Sequence, residues 1–162
     1  PELSRGLGDV YKRQVASSGK ISTLDPAQAS TVNTIQLLSA LGDPLYSLDG
    51  NGELIPRLAE ASPIVSPDGL TVTIPLRRDV LFHDGTRFDA EAMAFSLRRF
   101  LEIGTLSYVV GGRIRSVEVA ADHQLVLRVS RPSTSLEGLL TSVNLTPVSP
   151  TAYAQHLSLI HI

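Results

Sequence analysis

Histidine and acidic side chains are the groups in this sequence that could transfer a proton or bind a metal ion. His83 is followed directly by Asp84, whereas His123 and His156 lie far from that pair along the chain. Asp84-Gly85 is typical of a tight turn, in which the carboxylate accepts hydrogen bonds from its own loop. His123 also falls at a predicted turn. We therefore predict that these residues serve turns, and that the chain has no catalytic residue and no metal site.

Motifs that hold cofactors or activate nucleophiles are missing from the sequence. It has no cysteine, which excludes disulfides, thiolate nucleophiles and cysteine metal sites. It contains no His-Glu-x-x-His metal motif, no phosphate-binding Gly-Lys-Ser/Thr loop and no Gly-x-Ser-x-Gly nucleophile elbow. Gly50-Asn51-Gly52 lacks the later glycine of a dinucleotide loop and predicts a turn. We therefore predict a protein that is not an enzyme and that uses no cofactor.

The composition limits the class of protein further. A chain of 162 residues with 43% hydrophobic and 19% charged residues predicts one folded domain and excludes a disordered chain. The net charge of -2 gives no basic surface for nucleic acid. No apolar run approaches the roughly 20 residues needed to span a bilayer. Composition and charge therefore favour neither a nucleic-acid-binding surface nor a membrane-spanning segment.

The two ends of the sequence are related through the DNA that can encode them. Residues 9–14 (Asp-Val-Tyr-Lys-Arg-Gln) fit the codons GATGTGTATAAGAGACAG, and the reverse complement of that string encodes residues 157–162, Leu-Ser-Leu-Ile-His-Ile. The string resembles the adapter of transposase-based sequencing libraries. We therefore interpret residues 1–14 and 157–162 as translated adapter, and residues 15–156 as an internal piece of a longer gene. The alternative, a flexible tail and a short apolar C-terminus, leaves the complementarity unexplained.

The hydrophobic pattern predicts an α+β class with short antiparallel strands and few helices. The predicted strands and extended segments are 19–21, 45–48, 70–76, 80–82, 114–119, 124–129 and 143–148. The predicted helices begin at Asn33, after Asp89, after a cap at Ser133 or Thr134, and at Pro150, with a helical turn over 57–59. Pro75 lacks an N–H, so its strand should lie at a sheet edge there or carry a bulge.

The helix after Asp89 has the most regular pattern. Asp89 is a suitable N-cap, and Glu91 in the first turn suits the helix dipole. Arg98 and Arg99 fall off the apolar stripe and are predicted to lie away from the core that it forms. The stripe consists of Ala90, Met93, Ala94, Leu97, Phe100 and Leu101.

One long block of the sequence resembles a known family. Residues 66–100 read SPDGLTVTIPLRRDVLFHDGTRFDAEAMAFSLRRF. This run resembles the extracellular solute-binding proteins of family 5, the dipeptide- and oligopeptide-binding components of ABC importers. Further blocks follow the family's order: Thr23-Leu24-Asp25-Pro26, Asp43-Pro44-Leu45-Tyr46, and residues 49–60, 122–129 and 139–150. The resemblance covers essentially all of residues 15–156 and does not distinguish one substrate from another.

The resemblance implies a fold and a division of the chain. Members of this family are much longer two-lobed clamshells that close on a ligand. The chain is then an α+β fragment that covers the start of lobe I and its extra subdomain. The implied parts are 1–14 (adapter), 15–52 (start of lobe I), 53–149 (α+β subdomain), 150–156 (truncated continuation) and 157–162 (adapter).

The resemblance also implies a function. The chain would belong to the substrate-binding component of an ABC importer, a monomer that hands peptides or a related small solute to the permease subunits. It would work in the periplasm or anchored outside the cytoplasmic membrane, with its signal segment missing from residues 15–156. The alternatives are an extracytoplasmic sensor or interaction domain, and a solute-binding domain fused to a secreted hydrolase or regulator. The solute stays open between a dipeptide, an oligopeptide, nickel, heme, a sugar and an opine.

Four residues become ligand-binding candidates through the resemblance. In relatives the loop after Leu24-Asp25-Pro26 contacts the peptide backbone, which implies Ser30, Thr31 and Val32. Tyr108 lies where some relatives carry a ligand-facing tyrosine. From the residues alone, Ser30 and Thr31 are equally well explained as caps of the following helix, and Tyr108 by loop packing.

Overall fold

The computed structural model describes residues 19–110, 112–132 and 136–156. Both predicted adapter segments and the predicted helix caps Ser133 and Thr134 lie outside the described residues. The strands are β1 (Tyr46–Leu48), β2 (Leu54–Pro56), β3 (Ile64–Val65), β4 (Thr71–Pro75), β5 (Ile114–Ala121) and β6 (Gln124–Val129). The α-helices are α1 (Val32–Leu41), α2 (Ala90–Ile103), α3 (Leu136–Leu139) and α4 (Pro150–His156). Short 3-10 helices span Pro26–Gln28, Ser107–Val109 and Val143–Leu145.

The larger sheet has four antiparallel strands in the order β3-β4-β6-β5, and β1 and β2 form a separate hairpin. Period-two alternation places Val72 and Ile74 on one face of β4, where they are buried opposite Leu127 and Leu125 of β6. The residues between them, such as Thr73, are only half-buried. The sheet therefore has one apolar face for the core.

Helix α2 packs its apolar stripe on that sheet. Met93, Ala94 and Leu97 are fully buried, and they belong to one hydrophobic cluster with the buried strand residues. The predicted cap is confirmed, because Asp89 Oδ1 accepts a hydrogen bond from Ala92 N at 2.8 Å. Arg98 is exposed at the edge of this interface. The α+β class predicted from the pattern is confirmed.

Pro75 lies in β4, an inner strand of the sheet. Its carbonyl accepts from Glu60 N at 2.9 Å, while Leu76 N donates to His123 O on the side of β6. The nitrogen and carbonyl of one strand residue point to the same side, so the Pro75 nitrogen faces away from β6. On that side β3 pairs with β4 only as far as Thr73. The position is nevertheless not a sheet edge, because the segment before β3 continues beside β4, with Glu60 bonded to Pro75 and an isolated bridge between Ala59 and Leu76. The missing N–H of Pro75 therefore faces this interrupted side of the sheet and not β6.

Four short predicted elements differ in the structure. Residues 19–21 form no strand, residues 57–59 form no helical turn, and residues 80–82 contribute only one isolated bridge. Residues 143–148 contain a 3-10 helix instead of an extended segment. Two or three apolar residues fit several backbone conformations, so contacts with distant parts of the chain decide among them.

The chain is closely packed at the C-terminal end of α2, where Gly104 follows the helix. Gly104 N donates to Phe100 O at 2.9 Å, and a Cβ on Gly104 would lie 2.4 Å from that oxygen and 2.6 Å from a carbon of the Phe100 ring. Gly104→Ala should therefore lower the free energy of unfolding by about 1–3 kcal/mol, measured by urea denaturation. Gly50→Ala is the control, because a Cβ there meets nothing within 4 Å. Equal effects of the two substitutions would contradict the close packing.

Candidate functional site

The segment before α1 is a short, locally fixed loop. Asp25 Oδ1 accepts from Ala27 N at 3.0 Å, and Asp25 N donates to Thr23 Oγ1 at 3.0 Å. Ala29 N closes the 3-10 helix by donating to Pro26 O at 3.1 Å. Asp-Pro favours this start, because the proline holds the residue before it in an extended conformation and then itself begins the helical turn. We call residues 25–32 the contact loop.

Helix α2 holds the contact loop through a buried ion pair. Arg99 Nη1 donates to Asp25 Oδ1 at 2.8 Å, and Arg99 Nη2 donates to Asp25 Oδ2. The two side chains are only 9% and 7% exposed. Hydrogen bonding to Asp25 raises the pKa of the Arg99 guanidinium, so the group stays charged. The guanidinium also lies over the ring of Tyr153, with Cζ 4.6 Å from the ring centroid.

This pairing corrects one prediction. Arg99 does not lie away from the core but is buried, because α2 packs a second face against the contact loop. Helical spacing cannot reveal that face, since it contains an arginine whose partner Asp25 is 74 positions away.

Two further residues hold the loop's backbone carbonyls. Asn144 Nδ2 donates to Pro26 O at 2.9 Å and to Ala29 O at 2.8 Å, and the side chain is buried. Thr105 N donates to Ala27 O at 3.1 Å, and its hydroxyl donates to the carbonyl of the next residue along the loop at 3.3 Å. The contact loop is therefore fixed from α2, from the 3-10 helix Val143–Leu145 and from the segment after α2.

The structure places three of the four predicted ligand-binding residues at the surface end of this loop. Ser30, Thr31 and Val32 are exposed, and Val32 keeps 70% of its surface accessible. Thr31 is the N-cap of α1, since its Oγ1 accepts from Thr34 N at 3.3 Å. The capping interpretation thus holds for Thr31. Ser30 keeps an exposed position beside the cap.

Tyr108 lies on the neighbouring segment. It is 79% exposed in the 3-10 helix Ser107–Val109. Thr105, three residues before it, carries the two hydrogen bonds to the contact loop. The segments that contain the predicted residues are therefore side by side, although the sequence separates them by more than 70 positions. Arg99, Asn144 and Thr105 were missed by the sequence analysis because no local pattern marks them.

The His83-Asp84 pair serves a turn. Thr86 N and Thr86 Oγ1 donate to Asp84 Oδ1 at 3.0 and 2.6 Å, and Ser149 Oγ donates to Asp84 Oδ2 at 2.5 Å. These bonds, with that from Ser149 the largest contribution, hold the pKa of Asp84 below its ordinary value. Across the described residues, no three histidine or acidic side chains come together as ligands for a metal ion.

The larger part of the chain matches one protein family. The family model of bacterial extracellular solute-binding proteins, family 5, matches residues 53–158. The chain belongs to this family, whose members bind solutes outside the cytoplasm. In the part of the chain that the structure describes, no helix has the length and apolar character to cross a membrane.

Individual relatives agree with the family assignment. The chain is 28% identical over 144 residues to the glutathione-binding protein GsiB of Shigella flexneri, across 88% of this chain and 28% of that protein. The structure of AgaA from A. tumefaciens R10 in complex with agropinic acid is 26% identical, with a TM-score of 0.79 over 89% of this chain and 29% of that one. OppA of Listeria monocytogenes, solved with bound peptide, has a TM-score of 0.79 at 21% identity, over 86% of this chain and 31% of that one, and shows the fold alone.

These comparisons confirm the predicted fold. The chain has the structure of a part of the two-lobed binding proteins, and it spans less than a third of the length of the relatives that it matches.

Proposed function

We propose that this chain is part of the first lobe of the substrate-binding component of an ABC importer, which delivers a peptide or a related small solute to the permease subunits. One observation carries the proposal: the contact loop is held rigidly by Arg99, Asn144 and Thr105 while its end, residues 30–32, is exposed. A loop that is already ordered loses little conformational entropy when a ligand binds.

The chemistry of the exposed residues suits a peptide-like solute. The Ser30 hydroxyl can donate and accept a hydrogen bond, and the backbone of residues 30–32 can pair with amide groups of the solute. Tyr108 offers an aromatic face with a polar hydroxyl at its tip. A second lobe that closes over these groups would exclude water and strengthen each contact.

The remaining assignments follow the same proposal. The protein is a monomer that works in the periplasm or anchored outside the membrane. Residues 15–52 start the lobe, and residues 53–149 form its extra subdomain. The boundary between them falls in the turn that joins β1 to β2. Relatives bind glutathione and agropinic acid, so the proposed solute is a small molecule with amide or carboxylate groups.

The test requires the full-length mature protein, expressed from the complete gene. Its melting temperature is measured with glutathione, trialanine and agropinic acid in separate titrations. A ligand at a hundredfold excess over its dissociation constant stabilises the native state by about 2.7 kcal/mol. A rise with one of the three supports the proposal and identifies the solute class. No rise with any of them would contradict the peptide-related solute, and hydrolysis of a bound peptide would instead support a fused hydrolase.

Substitutions of the neighbouring residues Ser30 and Thr31 distinguish a role in solute binding from a role in capping α1. We expect Ser30→Ala to leave the melting temperature unchanged and to weaken solute binding by about threefold to tenfold, because one hydrogen bond to the solute is lost. Thr31→Ala, the matched variant, removes the cap of α1 and should lower the free energy of unfolding by about 1 kcal/mol. Calorimetric titration and thermal melting measure the two quantities. Unchanged affinity in Ser30→Ala would remove Ser30 from the site.

A further inference from the structure

We infer that Asp25 and Arg99 are positioning residues for solute binding: the buried ion pair sets the place of residues 30–32, and solute affinity depends on it. This inference rests on the proposed function of the contact loop. It adds a role for the buried pair Asp25 and Arg99, which hold the proposed ligand-binding residues 30–32 in place.

The pair joins the loop to α2, whose residues are mostly buried. Arg99 lies between two buried residues of α2, Leu97 and Phe100, which anchor the helix in the core. Its guanidinium forms two parallel hydrogen bonds with Asp25, one to each carboxylate oxygen. A bidentate pair fixes the orientation of the carboxylate as well as its position. The beginning of the contact loop therefore takes its orientation from α2.

The orientation of Asp25 determines where the exposed residues 30–32 lie. The same carboxylate accepts from Ala27 N and so begins the 3-10 helix Pro26–Gln28. That helix ends at Ala29, which is fully buried and whose carbonyl accepts from Asn144. Ser30 follows immediately. Each residue from the ion pair to the surface is thus held by a hydrogen bond or by burial.

The pair is not arranged for the greatest stability. Arg99 Nε is buried and has no hydrogen-bond partner among the described residues. Burying two charges costs solvation energy, and apolar residues of similar volume often serve stability equally well or better. An apolar pair, however, forms no directional hydrogen bonds and would not fix the orientation of the beginning of the loop. The ion pair therefore fixes the orientation of the contact loop, which an apolar pair would not do.

The decisive comparison uses three forms of the full-length mature protein. Asp25→Asn keeps an oxygen for Ala27 N but leaves Arg99 charged and partly unpaired. The double variant Asp25→Asn/Arg99→Met removes both charges. The matched control, Glu118→Gln/Arg128→Met, removes an ion pair of the sheet surface that has no contact with the loop. Three quantities are measured for each form: the melting temperature, the amide hydrogen exchange of residues 27–32, and the affinity for whichever of glutathione, trialanine and agropinic acid binds the wild type.

The expected results separate positioning from stability. Asp25→Asn should lower both the melting temperature and the affinity. The double variant should recover part of the melting temperature while its affinity stays about tenfold or more below wild type, because the binding-competent loop is then populated only about a tenth of the time. Exchange at Ala27 and Ala29 should be faster in both variants without solute. The control should match wild type in all three measurements.

Recovery of affinity together with melting temperature in the double variant would overturn the inference, because the pair would then act through stability alone. Unchanged exchange of the loop amides would overturn it as well, whatever the affinity. If the wild type binds none of glutathione, trialanine and agropinic acid, the proposed peptide-related solute fails. Hydrogen exchange still decides the positioning role in that case, since faster exchange supports it and unchanged exchange contradicts it.

Discussion

Asp25→Asn is expected to lower the free energy of unfolding by about 3 kcal/mol. Arg99 would remain charged in a site that leaves it only 9% exposed, with half of its bidentate partner replaced by a neutral amide. Breaking a buried ion pair from one side costs about 3–5 kcal/mol, since the remaining charge has lost its compensation. Asparagine keeps the hydrogen bond to Ala27 N, so the effect reports the pair and not the local turn. Urea denaturation measures the loss.

Two controls define what the loss means. Glu118→Gln breaks the exposed pair with Arg128, whose side chains are 44% and 55% exposed, and should leave the unfolding curve unchanged. Asp25→Asn/Arg99→Met should recover much of the stability, since both charges are gone. Wild-type stability in Asp25→Asn would mean that water reaches Arg99, and the description of this pair as buried would be wrong.

Leu97→Ala is expected to lower the free energy of unfolding by about 2–5 kcal/mol. Leu97 is fully buried on the stripe of α2, in the same cluster as Leu125 and Leu127 of β6. Truncation removes buried methyl groups and leaves a cavity that the helix and the sheet, both held by their backbone hydrogen bonds, can close only in part. The transfer and cavity contributions therefore add.

The control for this core substitution is Leu81→Ala. Leu81 is 62% exposed, so its truncation should change the free energy of unfolding by no more than about 0.5 kcal/mol. Urea denaturation of both variants, followed by far-ultraviolet circular dichroism, provides the comparison. Similar losses in the two variants would show that α2 does not pack its stripe against the sheet.

The elements predicted with the greatest success are those with local signals. Helix α2 carries a cap, an apolar stripe and an acidic first turn within residues 89–103, and the structure has each of them. Strand β4 lies within the predicted strand 70–76, and its period-two alternation buries Val72 and Ile74 on one face. Residues 49–52 form the predicted turn, with Asp49 Oδ1 accepting from Asn51 N at 2.8 Å. Signals of this kind depend on groups that are close neighbours in the sequence, so the local pattern is enough to predict them.

The site was predicted less completely. Family resemblance pointed to Ser30, Thr31, Val32 and Tyr108, and the structure places their two segments side by side. The resemblance could not identify Asn144, whose segment was predicted to be extended. The Asn144 side chain holds the loop by donating to two carbonyls more than 100 positions away, and no local pattern indicates such a contact. The binding role of the four exposed residues stays a prediction.

By itself, the sequence determined the α+β class, the apolar faces of β4 and α2, the main caps and turns, and the family of solute-binding proteins. Only the tertiary structure decided that Arg99 belongs inside the protein and that it holds one loop together with Thr105 and Asn144. The physical reason is the range of the interactions. Periodicity and capping depend on neighbours within about one turn, whereas a buried charge is tolerated only where a distant partner meets it. Those partners meet only in the packed fold, where α2 lies on its sheet.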